Sequence, residues 1–233
     1  MADSPARTRR DAVATRSRLV RAALELFATQ GYHATTTPAI AARARVAEGT
    51  IYRHFDGKEA LLNEVFREAQ RWASRLVLED EGVRGVTPAD RLRRIAHRLV
   101  ATAQGDPALV RMLFRPRDAV ELDDRSREAL REFRSGLALV VATGKQQGAV
   151  RSGSAEVWAA VWLSLVGHAV ERVAAREWTP DHPHTAQVVE AAWDAIATRV
   201  TAGEPRAPSP PPTGAADPGR TSPGGGRPAP GST

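Results

Sequence analysis

The chain has 233 residues, a net charge of +6 at pH 7 and a sequence pI of about 10.7, long enough for one large or two modest domains. It contains no cysteine, which excludes disulfides, thiolate nucleophiles and cysteine-ligated metals and fits a reducing cytoplasm. A basic chain points to nucleic acid, a membrane surface or an acidic partner. The distribution narrows this: residues 1–60 hold ten basic and six acidic groups, a net +4, and the rest of the chain carries only +2. No apolar run reads as long enough to span a bilayer, and the polar, Arg-rich start does not read as a secretory signal.

Residues 1–12 read as a flexible basic arm, with Arg7, Arg9 and Arg10 either solvated or placed in a minor groove. From about Asp11 to Gln30, Leu19, Ala23, Leu26 and Phe27 recur at three- and four-residue spacing and predict a helix, with Gly31 as its C-cap. The stretch 36–55 reads as two short helices joined by a tight turn. Thr37 is expected to cap the first, with Pro38 at the first helical position and Ile40, Ala41 and Ala44 buried. The second, about Glu48 to Phe55, buries Ile51 and Phe55, so Thr50, Tyr52, Arg53 and His54 cannot all share its inner face. Asp56 and Glu59 suggest a capping box for a long helix carrying Leu61, Leu62, Val65, Phe66, Ala69, Trp72 and Leu76.

Beyond a polar break at Glu79 to Thr87, the periodicity stays helical. Helices are predicted over Pro88–Thr102, Pro107–Phe114, Leu122–Gln147, Ala155–Trp178 and His184–Thr201, with no convincing strand, giving an all-α fold. Residues 203–233 are rich in Pro and Gly and have no aromatic residue, Leu, Ile or Val. Such a segment cannot bury enough apolar surface to offset its ordering entropy and reads as a disordered tail, with Pro211-Pro212 open to a polyproline-binding partner.

Residues 13–73 resemble the TetR family of bacterial transcription regulators. The likeness is carried by Leu24, Phe27, Gly31, Tyr32, the Thr35-Thr36-Thr37 run, Ile40-Ala41, Val46, Gly49-Thr50-Ile51-Tyr52-Arg53-His54-Phe55 and Lys58-Glu59-Ala60-Leu61. It implies an N-terminal three-helix helix-turn-helix DNA-binding domain over 13–73 and a larger helical ligand-binding and dimerisation domain over 74–202. By the same resemblance the partners are double-stranded DNA with a palindromic operator, a small-molecule effector of unknown identity, and a second copy of the chain docked through roughly 155–201. The Trp193-Ile196-Val200 face fits such a contact or an ordinary core. Repression is the family's usual sign.

Matching positions imply that Thr37, Thr50, Tyr52, His54 and Lys58 contact mainly the DNA backbone. Arg53 suits a phosphate or a guanine; Glu48 suits cytosine N4 or plain solvation; Gly49 permits close approach of backbone to a base. The family's usual turn glycine is replaced by Arg45, at a cost of about 1 kcal/mol for a left-handed residue bearing a β-carbon, and its charge can face phosphate. Ala47 stands where a capping hydroxyl is usual, and Pro38-Ala39 replace polar residues. These departures leave the operator sequence unread.

For the second domain, aromatic residues suggest a pocket. The candidates are Phe114, Phe133, Trp158 and Trp162, with His97, Arg111 and His168 to fix a ligand. Aromatics at helical spacing also serve as ordinary core. No cofactor, metal site or catalytic residue is expected: there is no nucleophile elbow, and His182-Pro183-His184 is too close for a metal site. The rival to a regulator is an architectural DNA-binding protein, which would not need so large a second helical body.

Overall fold

The computed structural model describes residues 5–79, 85–114 and 122–199. Among these the chain is helical, with one isolated antiparallel bridge between Val150 and Ala197. The all-α expectation holds. The 203–233 tail, Val200 and Met1 to Ser4 lie outside the described residues.

Helix α1 spans Pro5–Gln30. The expected flexible arm is therefore helical from Pro5 onward, continuous with the amphipathic stripe that buries Leu19, Ala23 and Phe27. Gly31 closes it at φ 87°, its N–H donating to Phe27 O at 3.2 Å. Helix α2 (Thr37–Ala44) is capped one residue earlier than expected, so Thr37 is its first helical residue. Thr36, in extended conformation, accepts from Ala39 N, which leaves the Thr37 side chain for other contacts. A 3-10 turn (Glu48–Thr50) leads into α3 (Ile51–His54).

Helix α4 (Lys58–Leu78) begins after Gly57 at φ 107°, with no side-chain cap. The capping box expected from Asp56 and Glu59 is thus absent; the cap position falls one residue later, on a glycine whose conformation strains any other residue. Helix α4 runs unbroken through residue 73 and packs against α1, α6 and α7, so the reading unit and the body share one rod.

Helices α5 (Pro88–Gly105), α6 (Pro107–Phe114), α7 (Asp124–Gln146), α8 (Ala155–Ala174) and α9 (Pro183–Asp194) form the body. Their starts are capped locally. Thr87 and Asp90 make a reciprocal capping box, Asp123 accepts from Ser126 N, and Ser154 accepts from Val157 N. Helix α8 is shorter than predicted. Arg176 adopts φ 61°, and the N–H groups of Arg176 and Glu177 donate back to Val173 O and Arg172 O, ending the helix before Trp178. Trp178 then stacks on His182 at 5.8 Å and meets His168 edge-on at 5.7 Å, closing the turn into α9.

Helix α9 also stops early. The chain after Asp194 pairs with the α7–α8 loop, Arg151 N donating to Ile196 O at 3.0 Å and Thr198 N to Ala149 O at 2.9 Å. This inter-segment pairing displaces the predicted continuation to Thr201 and buries Ile196 completely. Contrary to the sequence reading, Ala155–Ala174 is long and apolar enough in composition to cross a membrane. It packs against α5, α6, α7 and α9, with 39% of its apolar stretch buried within the chain.

Candidate nucleic-acid interface

The turn between α2 and α3 is built on Arg45, which sits at φ 56°, ψ 50°. Its N–H donates to Ala42 O at 3.1 Å and the Val46 N–H donates to Ala41 O at 3.0 Å. These crossed bonds satisfy the last carbonyls of α2 and reverse the chain. The Arg45 side chain is exposed. Ala47 offers no cap to the turn that follows, as its side chain dictates.

Ile51 is fully buried and Phe55 is 7% exposed. With those two anchored, the intervening residues are forced outward: Tyr52 is 58% exposed, and Glu48, Gly49 and Arg53 are also exposed. Thr50 and His54 are half-buried at the edges of this face. A β-carbon built on Gly49 meets nothing within 4 Å, so nothing inside the protein requires glycine there. The Tyr52 hydroxyl lies 3.4 Å from Thr37 Oγ1, joining the starts of the two short helices into one polar edge. Thr37, Glu48, Gly49, Thr50, Tyr52, Arg53 and the rim residue Arg45 therefore share one unit. Hydroxyls, a guanidinium and free backbone are what phosphate and base-edge contacts require.

Lys58 does different work. Its Nζ donates to Tyr32 O at 3.0 Å and Thr35 O at 2.9 Å, and sits 4.2 Å from the Tyr32 ring centroid. In this position the ammonium ties the start of α4 to the α1–α2 connector. The sequence offered no signal for that, because the carbonyls it binds belong to the backbone.

Two chains of charged groups link the reading unit to the body. In the first, Arg43 of α2 donates to Glu25 of α1, Glu25 also takes Arg21, and Arg21 reaches Asp106 between α5 and α6. In the second, Arg16 of α1 pairs with Glu64 of α4 at 3.0 Å while also lying over the Phe55 ring, and Glu64 takes Arg67 at 2.8 Å. Arg67 continues to Asp123 at 2.7 Å and Ser126 at 3.1 Å, at the start of α7. Burial works to raise the carboxyls of Glu25, Glu64 and Asp123. Their partners outweigh it and hold all three below the usual range: Arg43 and Arg21 for Glu25, Arg67 and Arg16 for Glu64, Ser126 and Arg67 for Asp123.

The body holds a cavity of about 610 Å³ between α4, α6, α7 and α8. Phe114 and Phe133 line it, together with Phe66, Gln70, Leu137 and Leu163. Phe114 is admitted by Gly167, where a β-carbon would come within 2.9 Å of its ring. The other expected pocket residues lie elsewhere. Trp162 is 1% exposed in the core, and Trp158 covers Gly153 with its Nε1 donating to Ser152 O at 3.0 Å. His97 and His168 are exposed, because each falls on the outer side of its helix, and Arg111 pairs with Glu171 at 3.3 Å. Gln70 is legible in principle, as one of two side-chain amides, with Asn63, buried along α4.

The family model for bacterial regulatory proteins of the tetR family matches residues 19–65, from α1 into α4. The fatty acid metabolism regulator protein of Bacillus subtilis is 29% identical over 138 residues, 58% of this chain and 70% of that one. Among solved structures, a TetR family transcription regulator from Marinobacter aquaeolei has a TM-score of 0.69 at 24% identity, covering 82% of this chain and all of that one. FadR from Bacillus subtilis, in complex with stearoyl-CoA, has a TM-score of 0.63 at 24% identity, covering 77% of this chain and 98% of that one. The reading turn thus lies within the residues that match the tetR family model, and the helical body shares the fold of solved TetR family regulators.

Proposed function

We propose that the protein acts in the cytoplasm as a homodimeric repressor that binds a palindromic operator and is released when a small, largely apolar molecule enters the α4–α6–α7–α8 cavity. The observation that carries the DNA-binding half is the outward face Glu48-Gly49-Thr50-Tyr52-Arg53, fixed by buried Ile51 and Phe55. Dimerisation is supported by α8: only 39% of its apolar stretch is buried within the chain, and Val157 is 55% exposed, leaving surface for a partner helix. Two copies would present two reading turns to successive turns of the major groove, which is the reason an inverted repeat is expected.

The effector half is supported by the cavity's size and apolar lining, which match small-molecule sites. It is also supported by position. One cavity wall is α7, whose start holds Arg67, and Arg67 leads through Glu64 to Arg16 of the reading unit. A ligand shifts the DNA-bound state only by its difference in affinity for the two arrangements, and these ion pairs are where such a difference can be transmitted.

Selection of binding sites from random DNA tests the reading. The expected result is an inverted repeat bound by two protomers; enrichment of no motif, or of a single half-site bound by a monomer, contradicts it.

A further inference from the structure

Among the residues that line the cavity, Gln70 carries a feature that its apolar neighbours do not explain. Gln70 is 0% exposed, yet neither its amide nitrogen nor its amide oxygen has a hydrogen-bond partner among the described residues. A buried amide left unpaired on both sides is costly, and native proteins pair nearly all such groups. The cavity is also lined by Phe66, Phe114, Phe133, Leu137 and Leu163, which offer neither donor nor acceptor on their side chains, and by Arg134, Ser135, Glu156 and Ser164, none of which bonds the Gln70 amide. An ordinary core position in this setting is filled by leucine or methionine at no such penalty.

We propose that the cavity takes a neutral ligand with an apolar body and a carboxamide-type group, namely an amide, lactam or urea, whose N–H donates to Gln70 Oε1 while its carbonyl accepts from Gln70 Nε2. The pairing follows from the inventory. A side-chain amide presents one donor edge and one acceptor edge, and only a group with both satisfies it in a single contact. A carboxylate accepts from the nitrogen but leaves the Gln70 oxygen facing a negative charge with no donor between them, which disfavours it at this position. A simple alkane leaves both atoms unpaired. This inference rests on the reading of the cavity as the effector site and names the chemistry that site selects.

Binding of octanamide, octanoate and stearoyl-CoA to the full-length protein, followed by calorimetry, tests it against the Gln70→Met variant, which keeps the volume and removes both hydrogen-bonding atoms. The expected result is octanamide binding at least about tenfold tighter than octanoate, with the preference abolished in the variant. The ligand-free variant should melt no lower than the parent, because a buried unpaired amide has been replaced by an apolar group. Gln70→Leu repeats the comparison should the methionine variant fail to fold. Equal affinity for octanamide and octanoate in the parent overturns the proposal. So does tighter binding of stearoyl-CoA that is insensitive to Gln70, or an unchanged preference in both variants. A parallel gel shift separates the two claims: Gln70-dependent binding of octanamide without loss of DNA affinity upholds the chemistry of the site and removes only its regulatory role.

Discussion

The Arg67 guanidinium reaches Asp123 at 2.7 Å with one nitrogen and Glu64 at 2.8 Å with another. Through this side chain, 10% exposed, the central helix α4 holds the start of α7. Its removal leaves Glu64 half-shielded, with Arg16 at 3.0 Å and Arg71 no closer than 3.9 Å, and leaves the buried Ser126 hydroxyl without its donor. Arg67→Ala is expected to lower unfolding free energy by about 2 kcal/mol, the range for buried hydrogen bonds to charged groups, read by urea denaturation. Arg67→Lys should recover less than half of the loss, since one ammonium cannot span the fork of contacts.

Acid should weaken the fold through the same groups. The carboxyls of Glu25, Glu64 and Asp123 lie below their usual range in the folded chain. Their contribution is therefore fully present above the ordinary carboxylate range and is lost as pH falls below about 5 towards their folded values. A melting temperature that drops steeply on that side, and a shallower drop in Glu64→Gln, are the expected results. A profile flat down to about pH 3 would show that these pairs contribute little.

The reading turn separates stability from DNA affinity. Tyr52 is 58% exposed and Gly49 has open space around its α-carbon, so Tyr52→Ala and Gly49→Ala should leave the melting temperature nearly unchanged. Both should weaken operator binding, Gly49→Ala by about tenfold or more, because a methyl group would stand between backbone and base. Arg45→Gly relieves a left-handed residue at a cost in unfolded-chain entropy of similar size, so stability should change by less than about 1 kcal/mol. Its gel-shift affinity should show a salt slope reduced by about one.

Lys58 should behave in the opposite way to Tyr52. Its ammonium holds the Tyr32 and Thr35 carbonyls. Lys58→Ala should therefore cost about 1–2 kcal/mol of stability, with any loss of DNA affinity following from a loosened α1–α2 connector. Circular dichroism melts beside gel shifts check this; lost affinity at full stability would return Lys58 to the phosphate-contacting set.

Ala47→Ser supplies the missing side-chain acceptor at the start of the reading turn and should raise stability by about 0.5–1 kcal/mol, measured by chemical denaturation.

Much of this molecule is legible in its sequence, and the exceptions share a cause. Helix interiors follow from apolar spacing, as with Leu19, Ala23 and Phe27 in α1 or Pro107–Phe114, whose bounds agree with the reading. Helix ends depart from the periodicity where capping depends on backbone conformation: Thr36 rather than Thr37, Gly57 rather than Asp56, and Arg176 before Trp178. Helix α9 is shorter than its apolar spacing predicts because its terminus is set by pairing with Ala149 and Arg151, a contact between distant segments. The outward set of the reading turn followed from Ile51 and Phe55 being four residues apart. The cavity did not, since periodicity marks which residues are apolar but not where four helices leave space. That is why Trp162 falls in the core and Gln70 among the residues that line the cavity.

On the function proposed above, the exposed face from Glu48 to Arg53 reads a DNA sequence. The most direct test is the ratio of affinities for a selected inverted repeat and a scrambled duplex, at about 150 mM salt, for the parent and for Arg53→Ala and Tyr52→Ala. The expected parent ratio is at least about a thousandfold, with a lower affinity for the repeat in both variants and unchanged melting temperatures. A parent ratio near one, with binding that simply fades as salt rises, would contradict it.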